Sequence, residues 1–214
     1  MPSTFGAAGI GFGALTGWGI QSSTAADENK RANALNETGN EPEGASKLFD
    51  DTTQVSTTYK ALVSTVPTVP PTLGAIINGI TLTGIQLSTD AEDFATMTLT
   101  GHTHIDGTHG TVRSVAHGIT LRAGFGASPF GVTGNTTVRS SECNISCEHV
   151  DVPDEDGDTA AGENYDGKIE CTVRVLGSGA SVPGDYDRLQ DGDEASNTDF
   201  QYQALRFYKP LSMA

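Results

Sequence analysis

Three of the five histidines in this 214-residue chain lie in one short stretch. Residues 101–110 read Gly-His-Thr-His-Ile-Asp-Gly-Thr-His-Gly, which places His102, His104 and His109 close together. Residues two apart on a β-strand point to the same face, so His102 and His104 could offer two imidazole nitrogens to one metal ion. His109 could reach the same ion across a turn. The alternative interpretation is that these are solvent-facing histidines at the end of a strand.

With Asp106, the histidine stretch resembles the HxHxDH signature of metallo-β-lactamase-like hydrolases. A glycine and a threonine separate Asp106 from His109, however, so the spacing is broken where metal ligation depends on it. That family also needs helices around its sheets, and this sequence does not predict them. We therefore predict no catalytic, cofactor-binding or metal-binding residue, and no cofactor. A metal-dependent hydrolase using His102, His104 and His109 is kept as the second alternative.

An acidic segment partly matches a calcium-binding loop. Asp154, Asp156, Gly157 and Glu163 fit positions 3, 5, 6 and 12 of an EF-hand, but position 1 would be Val152, whose side chain has no oxygen. No flanking helices are predicted. We expect a solvated loop, with weak calcium binding as the alternative.

The three cysteines, Cys143, Cys147 and Cys171, cannot all be paired within one chain. If Cys143 and Cys147 share a strand, four residues separate them by roughly 13 Å, too far for a disulfide. We expect small, buried, apolar residues instead. Cys147 and His149 would lie on the same strand face, but no third member of a nucleophilic site is evident.

The elements that would position these residues are strands, because apolar and polar residues alternate along several segments. In residues 168–176, the positions of Ile169, Cys171, Val173 and Val175 share one face. We predict a mainly β fold, an antiparallel β-sandwich or barrel with an extended N-terminal arm, long loops and at most one short helix. The predicted strands are 54–63, 79–87, 94–101, 111–123, 136–150, 168–176 and 201–208.

The chain is predicted to contain an uncharged, Gly-rich arm at 1–26 and a single β domain at 27–214. Three prolines make 64–74 a linker or an edge. Acidic loops are expected at 151–167 and 185–199. Residues 24–35 could begin a helix capped by Thr24, or could pair with the residues after the turn at 36–40 as a hairpin that ends near Phe49.

The charge distribution limits the partners of this protein. The formal charge is −15, from 12 basic and 27 acidic residues. Residues 151–199 hold 14 acids against three bases, a net charge of −11. Such a field repels polyanions, so we expect neither specific nucleic-acid binding nor docking on an anionic membrane. No secretory signal and no run of 18 apolar residues is visible, so we expect a soluble protein made in a reducing cytoplasm.

In their order along the chain, several features resemble those of phage tail tube proteins and related virion β proteins. These features are residues 19–23, a charged hairpin-like stretch around Gly39, Phe49-Asp50 before the strand at 54–59, threonine-rich strands, and residues 147–150 before an acidic loop. The resemblance covers residues 19–176. It implies a β-sandwich subunit that forms stacked hexameric rings, with a loop and termini that bridge neighbours and an electronegative lumen through which DNA slides. It implies no catalytic residues.

We therefore expect a virion structural protein and not an enzyme, most specifically a phage tail tube subunit made in the host cytoplasm. Its partners would be copies of itself, other tail proteins and DNA in transit only, with no membrane. The first alternative is a capsid decoration or head–tail joining protein, which would form trimers or single rings rather than tubes.

Overall fold

The structure is a computed structural model that describes residues 11–35, 42–62, 68–104, 113–134, 137–155, 159–195 and 201–213. All regular secondary structure in these ranges is β, which confirms the prediction of a mainly β, antiparallel fold. The nine strands are β1 (Trp18–Leu35), β2 (Pro42–Ala61), β3 (Ile76–Ile77), β4 (Ile80–Asp90), β5 (Thr96–His104), β6 (Val138–Pro153), β7 (Thr159–Leu176), β8 (Asp187–Ala195) and β9 (Gln201–Leu211).

All nine strands belong to one antiparallel sheet. Its order is β1-β2-β5-β4-β6-β7-β9-β8, and the short β3 pairs with β4. The sheet is open, because β1 and β8 each have a strand neighbour on one side only among the residues that the structure describes. The described part of the chain therefore has two free sheet edges.

Alternation along the strands separates the core from a wet face. Ile169, Cys171, Val173 and Val175 are buried, as their spacing predicts, whereas Glu170 and Arg174 between them are exposed. The neighbouring strands follow the same pattern, and their buried residues join one continuous core: Val55 and Tyr59 of β2, Leu82, Ile85 and Leu87 of β4, Met97 and Leu99 of β5, Ile145 of β6, and Leu205 and Phe207 of β9. The hydrophobic effect thus fixes which face of the sheet is covered.

Chain segments without regular structure cover that apolar face. Ile119 and Leu121 are buried, but the strand predicted at 111–123 is wrong over the described residues 113–123, which contain only one isolated bridge. Gly118 has a φ of +70°, a left-handed backbone conformation that does not fit a β-strand. The alternation of apolar and polar residues at 118–122 therefore indicates which side chains are buried, but these residues do not pair with the sheet.

Buried hydroxyl groups connect the irregular segment around Ser128 to the sheet by hydrogen bonds. The hydroxyls of Thr89 on β4 and Ser141 on β6 are 2.6 Å apart. Thr89 Oγ1 accepts a hydrogen bond from the Ser128 amide, and the Ser141 hydroxyl donates to the Ser128 carbonyl. Because buried polar groups need partners, these three residues fix where the segment lies.

The N-terminal region is part of the fold from residue 11 onward. Phe12 is buried in the core, and the Tyr59 hydroxyl donates a 2.7 Å hydrogen bond to the carbonyl of Gly13. From Trp18 the chain is strand β1, so residues 18–26 of the predicted arm lie in the sheet, and residues 1–10 lie outside the described ranges. Of the two interpretations of residues 24–35, the hairpin is confirmed and the helix is wrong.

The segments predicted as acidic loops contain much more strand than expected. β6 and β7 continue to Pro153 and from Thr159, so most of 151–167 is a paired hairpin. β8 occupies most of 185–199 and pairs with β9. Within the proline-rich 64–74, residues 68–74 contain only an isolated bridge between Leu73 and Val115, and 64–67 lie outside the described residues.

The interpretation of all three cysteines as unpaired apolar residues is wrong for two of them. Cys143 and Cys171 are direct cross-strand partners on β6 and β7 and form a disulfide. Both are buried in the core, as expected. Strand register brought them together, and the spacing argument, which considered only Cys143 and Cys147, could not detect it.

Candidate functional site

Four metal-ligating side chains converge where β5 and β6 end. They are His102 and His104 of β5 with His149 and Asp151 of β6, and one ligand atom from each lies within 4.8 Å of the others. His102 and His104 are buried, and His149 and Asp151 are partly buried. On each strand the two residues are two apart, the spacing that puts side chains on one face.

The sheet register explains how two non-adjacent strands supply this cluster. β4 lies between β5 and β6 in the sheet and pairs with β5 from Thr81, opposite His102. Its pairing with β6 ends at Gly84, opposite Ser146. Beyond Ser146, β6 is paired only with β7 among the described residues, so side chains of the β6–β7 hairpin can meet those of β5.

One carboxylate oxygen is the centre of the cluster. Asp151 Oδ1 lies 2.8 Å from His149 Nε2 and 3.2 Å from His104 Nε2. The His102 ring packs against His149 with centroids 3.8 Å apart, and it makes an edge contact with His104 at 5.5 Å. Three imidazole rings therefore surround a single carboxylate.

A buried asparagine orients His149. Asn164 on β7 is the cross-strand partner of His149 and is fully buried. Its Nδ2 donates a hydrogen bond of 3.1 Å to the carbonyl of Arg113, so its Oδ1 faces His149 Nδ1 at 2.7 Å as an acceptor. Because an amide oxygen can only accept, His149 Nδ1 must carry the proton.

The tautomer of His149 determines what its other ring nitrogen, Nε2, presents to Asp151. In a neutral imidazole protonated on Nδ1, Nε2 presents a lone pair, and here it faces the carboxylate oxygen of Asp151 at 2.8 Å. Two lone pairs at that distance repel each other, and a metal cation bound to both atoms would relieve the repulsion.

Gly162 leaves room for this arrangement. It is the cross-strand partner of Asp151, and a Cβ placed on it would lie 2.9 Å from His149 Cε1 and 3.1 Å from Asp151 Oδ1. Any other residue at 162 would press on both side chains. The site thus uses a position without a side chain on β7.

The sequence-based candidates are only partly brought together. His102 and His104 meet as the spacing suggested, whereas Asp106 and His109 lie outside the described residues. The sequence analysis predicted no metal-binding residue. It did not connect His149 and Asp151 with His102 and His104, beside which the structure places them. Their His-x-Asp spacing on a strand was the available signal, but nothing local linked it to residues almost fifty positions earlier.

The EF-hand match does not produce a calcium loop. Thr159–Leu176 is strand β7, so the last positions of the proposed loop are paired with β6. Glu163, which would be the bidentate ligand, forms an ion pair of 3.1 Å with Arg113. Asp156 and Gly157 lie outside the described residues.

Cys147 does not pair with His149. Its thiol contacts the carbonyl of Thr83 at 3.7 Å, and burial raises its pKa to about 12. A thiol in this environment remains protonated at neutral pH, so the geometry is that of a structural cysteine.

A second feature concerns the surface: two hairpins extend beyond their neighbours. β2 pairs with β5 over residues 52–60, and beyond Thr52 the strands β1 and β2 pair only with each other among the residues that the structure describes. The β6–β7 hairpin extends past the end of the β7–β9 pairing at Gly167. Val150, Val152 and Tyr165 on that second hairpin are large apolar residues that are roughly half exposed.

No protein-family model and no curated protein matches this sequence. Within the described ranges, no helix is long and apolar enough to cross a membrane.

Proposed function

We propose that this chain is a virion structural protein, a phage tail tube subunit that assembles into stacked hexameric rings through which DNA passes. The observation that carries the proposal is the open nine-stranded sheet with one long free edge on β1 and another on β8. The resemblance in the order of sequence features supports the same conclusion.

A free edge strand presents unpaired backbone donors and acceptors, which natural proteins normally shield with prolines, charged side chains, bulges or very short strands. β1 is 18 residues long and contains no proline, and its residues 18–26 carry no charge. Residues 21–27 are mostly exposed, small and polar. Pairing β1 of one copy with β8 of the next is a head-to-tail contact, which forms a ring when the rotation between copies closes.

The extended β1–β2 hairpin needs a partner for a different reason. A two-stranded hairpin in water is marginal at best, because it has no third strand or helix to bury its side chains. Among the residues that the structure describes, 28–35 and 42–51 pair only with each other. A neighbouring subunit, in the same ring or in the next one, would supply a third strand or a packing surface.

The wet face of the sheet suits a conduit for DNA. One cross-strand row runs through Thr98, Gln86, Asn144, Glu170 and Tyr208. These side chains offer hydroxyls, amides and a carboxylate, while Lys168, Arg174 and Arg206 lie on the same face in neighbouring rows. The support for an electronegative lumen is therefore the chain charge of −15, which would repel phosphates and let DNA slide without binding.

Electron microscopy of the purified full chain tests the proposal. We expect rings of six subunits and stacked tubes at high protein concentration. Trimers or isolated rings would favour the decoration or joining protein instead. A chain that stays monomeric at the highest soluble concentration would contradict the proposal.

A shortened variant tests the role of the hairpin. Asp27 and Thr53 are register partners on β1 and β2, so a two-residue turn can join them in place of residues 28–52. The β2–β5 pairing from Thr53 onward is kept. We expect this variant to remain folded by circular dichroism but to lose stacking into tubes. Tubes identical to those of the full chain would exclude the hairpin as the stacking element.

A further inference from the structure

We propose that His102, His104, His149 and Asp151 bind one divalent transition-metal ion, with Zn²⁺ the best match, and that the bound ion ties β5 to the β6–β7 hairpin. This site goes beyond the proposed function and does not depend on assembly. It also replaces the set His102, His104 and His109 suggested by sequence spacing.

The donor chemistry selects the class of ion. Three imidazoles and one carboxylate are ligands that Zn²⁺ and neighbouring first-row divalent ions accept. Ca²⁺ and Mg²⁺ prefer shells made of oxygen, of which this cluster offers one residue. A buried cluster rich in nitrogen therefore favours a transition metal.

The spacing of the ligand atoms approaches that of a tetrahedral shell. Bonds of about 2.0–2.1 Å from a metal to its ligands place neighbouring ligand atoms roughly 3.3 Å apart. The separations from Asp151 Oδ1 are 2.8 Å to His149 Nε2 and 3.2 Å to His104 Nε2. All four ligand atoms lie within 4.8 Å of one another, so the side chains have to move closer together around a bound ion.

The surroundings of His149 match those of a metal ligand. Histidines that bind metals almost always donate their second ring N–H to a fixed acceptor, which sets the tautomer and the ring orientation. Asn164 does this for His149, and it is itself held by the carbonyl of Arg113. The lone pair on Nε2 is thereby directed at the centre of the cluster.

A proton alone would account for less of the arrangement. Protons on His149 and His104 would satisfy the two contacts of Asp151, whereas a bound cation would also take in His102, whose ring packs against His149 with centroids 3.8 Å apart. One cation uses all four groups. With four protein ligands a tetrahedral ion has no position left for water, which is the pattern of structural rather than catalytic sites.

Metal analysis of the full chain tests the site. The protein is stripped with a chelator, dialysed, incubated with Zn²⁺, freed of excess metal and measured by elemental analysis. We expect about one ion per chain, as for a closed four-ligand site. Co²⁺ in place of Zn²⁺ should give the intense visible spectrum of a tetrahedral ion. Wild-type protein that retains no ion would overturn the proposal.

Variants separate this site from other metal binding. Asp151→Asn, which preserves size, and His149→Ala should each lose the bound ion, whereas His109→Ala should keep it. Equal retention in all three, or loss in His109→Ala alone, would overturn the assignment of ligands. Circular dichroism in the presence of chelator shows whether each variant is folded. If a ligand variant does not fold, the Co²⁺ spectrum of the wild type still shows whether the protein holds a tetrahedral ion.

Two neighbouring positions give graded tests. Asn164→Ala keeps all four ligands but removes the acceptor for His149 Nδ1, and it should weaken Zn²⁺ binding by about 10–100-fold. Gly162→Ala should also weaken binding, because its Cβ would lie about 3 Å from His149 Nε2. Unchanged affinity in both variants would contradict the geometry proposed for His149.

Discussion

Replacing Asn164 with alanine tests the hydrogen-bond chain of the site independently of any metal. Asn164 is fully buried, accepts from His149 Nδ1 at 2.7 Å and donates to the Arg113 carbonyl at 3.1 Å. Removing it in the presence of chelator leaves a buried N–H and a carbonyl without these bonds. At roughly 1–3 kcal/mol for each group, with the carbonyl of the exposed Arg113 at the low end, the expected loss of unfolding free energy is about 2–4 kcal/mol.

The matched control is Asn144→Ala on β6. Asn144 is also a strand asparagine but is exposed, so its replacement should change the unfolding free energy by less than about 0.5 kcal/mol. Urea unfolding followed by circular dichroism measures both. In thermal unfolding, Asn164→Ala should lower Tm by about 4–16 °C, from about 2–4 °C for each kcal/mol in a chain of this size. Equal losses in the two variants would refute the account of Asn164.

Three further predictions concern the fold. Phe12→Ala should cost about 3–5 kcal/mol of unfolding free energy because Phe12 is buried in the core, whereas Val69→Ala, at an exposed site, should cost little. Gly101→Ala should impair folding because a Cβ there would overlap a β4 carbonyl, whereas Gly184→Ala has open space and should express normally. Burial lowers the pKa of His117 below 6.5, so protons bind the unfolded chain more readily and stability should fall as the pH drops below 6.5. His117→Gln should reduce that pH dependence, as measured by urea unfolding across the same range, and an unchanged slope would contradict it.

The strands with a regular alternation of apolar and polar residues were predictable from the sequence, because each strand has one buried face and one wet face. β2, β4, β5, β6, β7 and β9 each overlap a predicted segment. β8 and residues 18–23 of β1 were missed because their sequences carry no regular apolar period. The rest of β1 was one of two interpretations of residues 24–35, the one with a hairpin. The segment at 118–122 was misassigned for the opposite reason, since it buries Ile119 and Leu121 without pairing in the sheet.

The candidate metal site was only half predictable. His102 and His104 share a strand, so local spacing identifies them. His149 and Asp151 join them only because β4 stops pairing with β6 at Ser146, which is a property of sheet register. The Cys143–Cys171 disulfide was missed for the same reason, since cross-strand neighbours depend on register and a single strand does not specify it.

In the proposed assembly, neighbouring copies complete the open sheet through its edges at β1 and β8. Hydrogen exchange of the backbone amides in these two strands, measured at low and high protein concentration, tests this pairing. We expect amides in residues 18–27 and 187–195 to exchange quickly in the dilute monomer and to be strongly protected in the assembled protein, while those of the central β4 are protected in both. Exchange in β1 and β8 that does not change with assembly would contradict the claim.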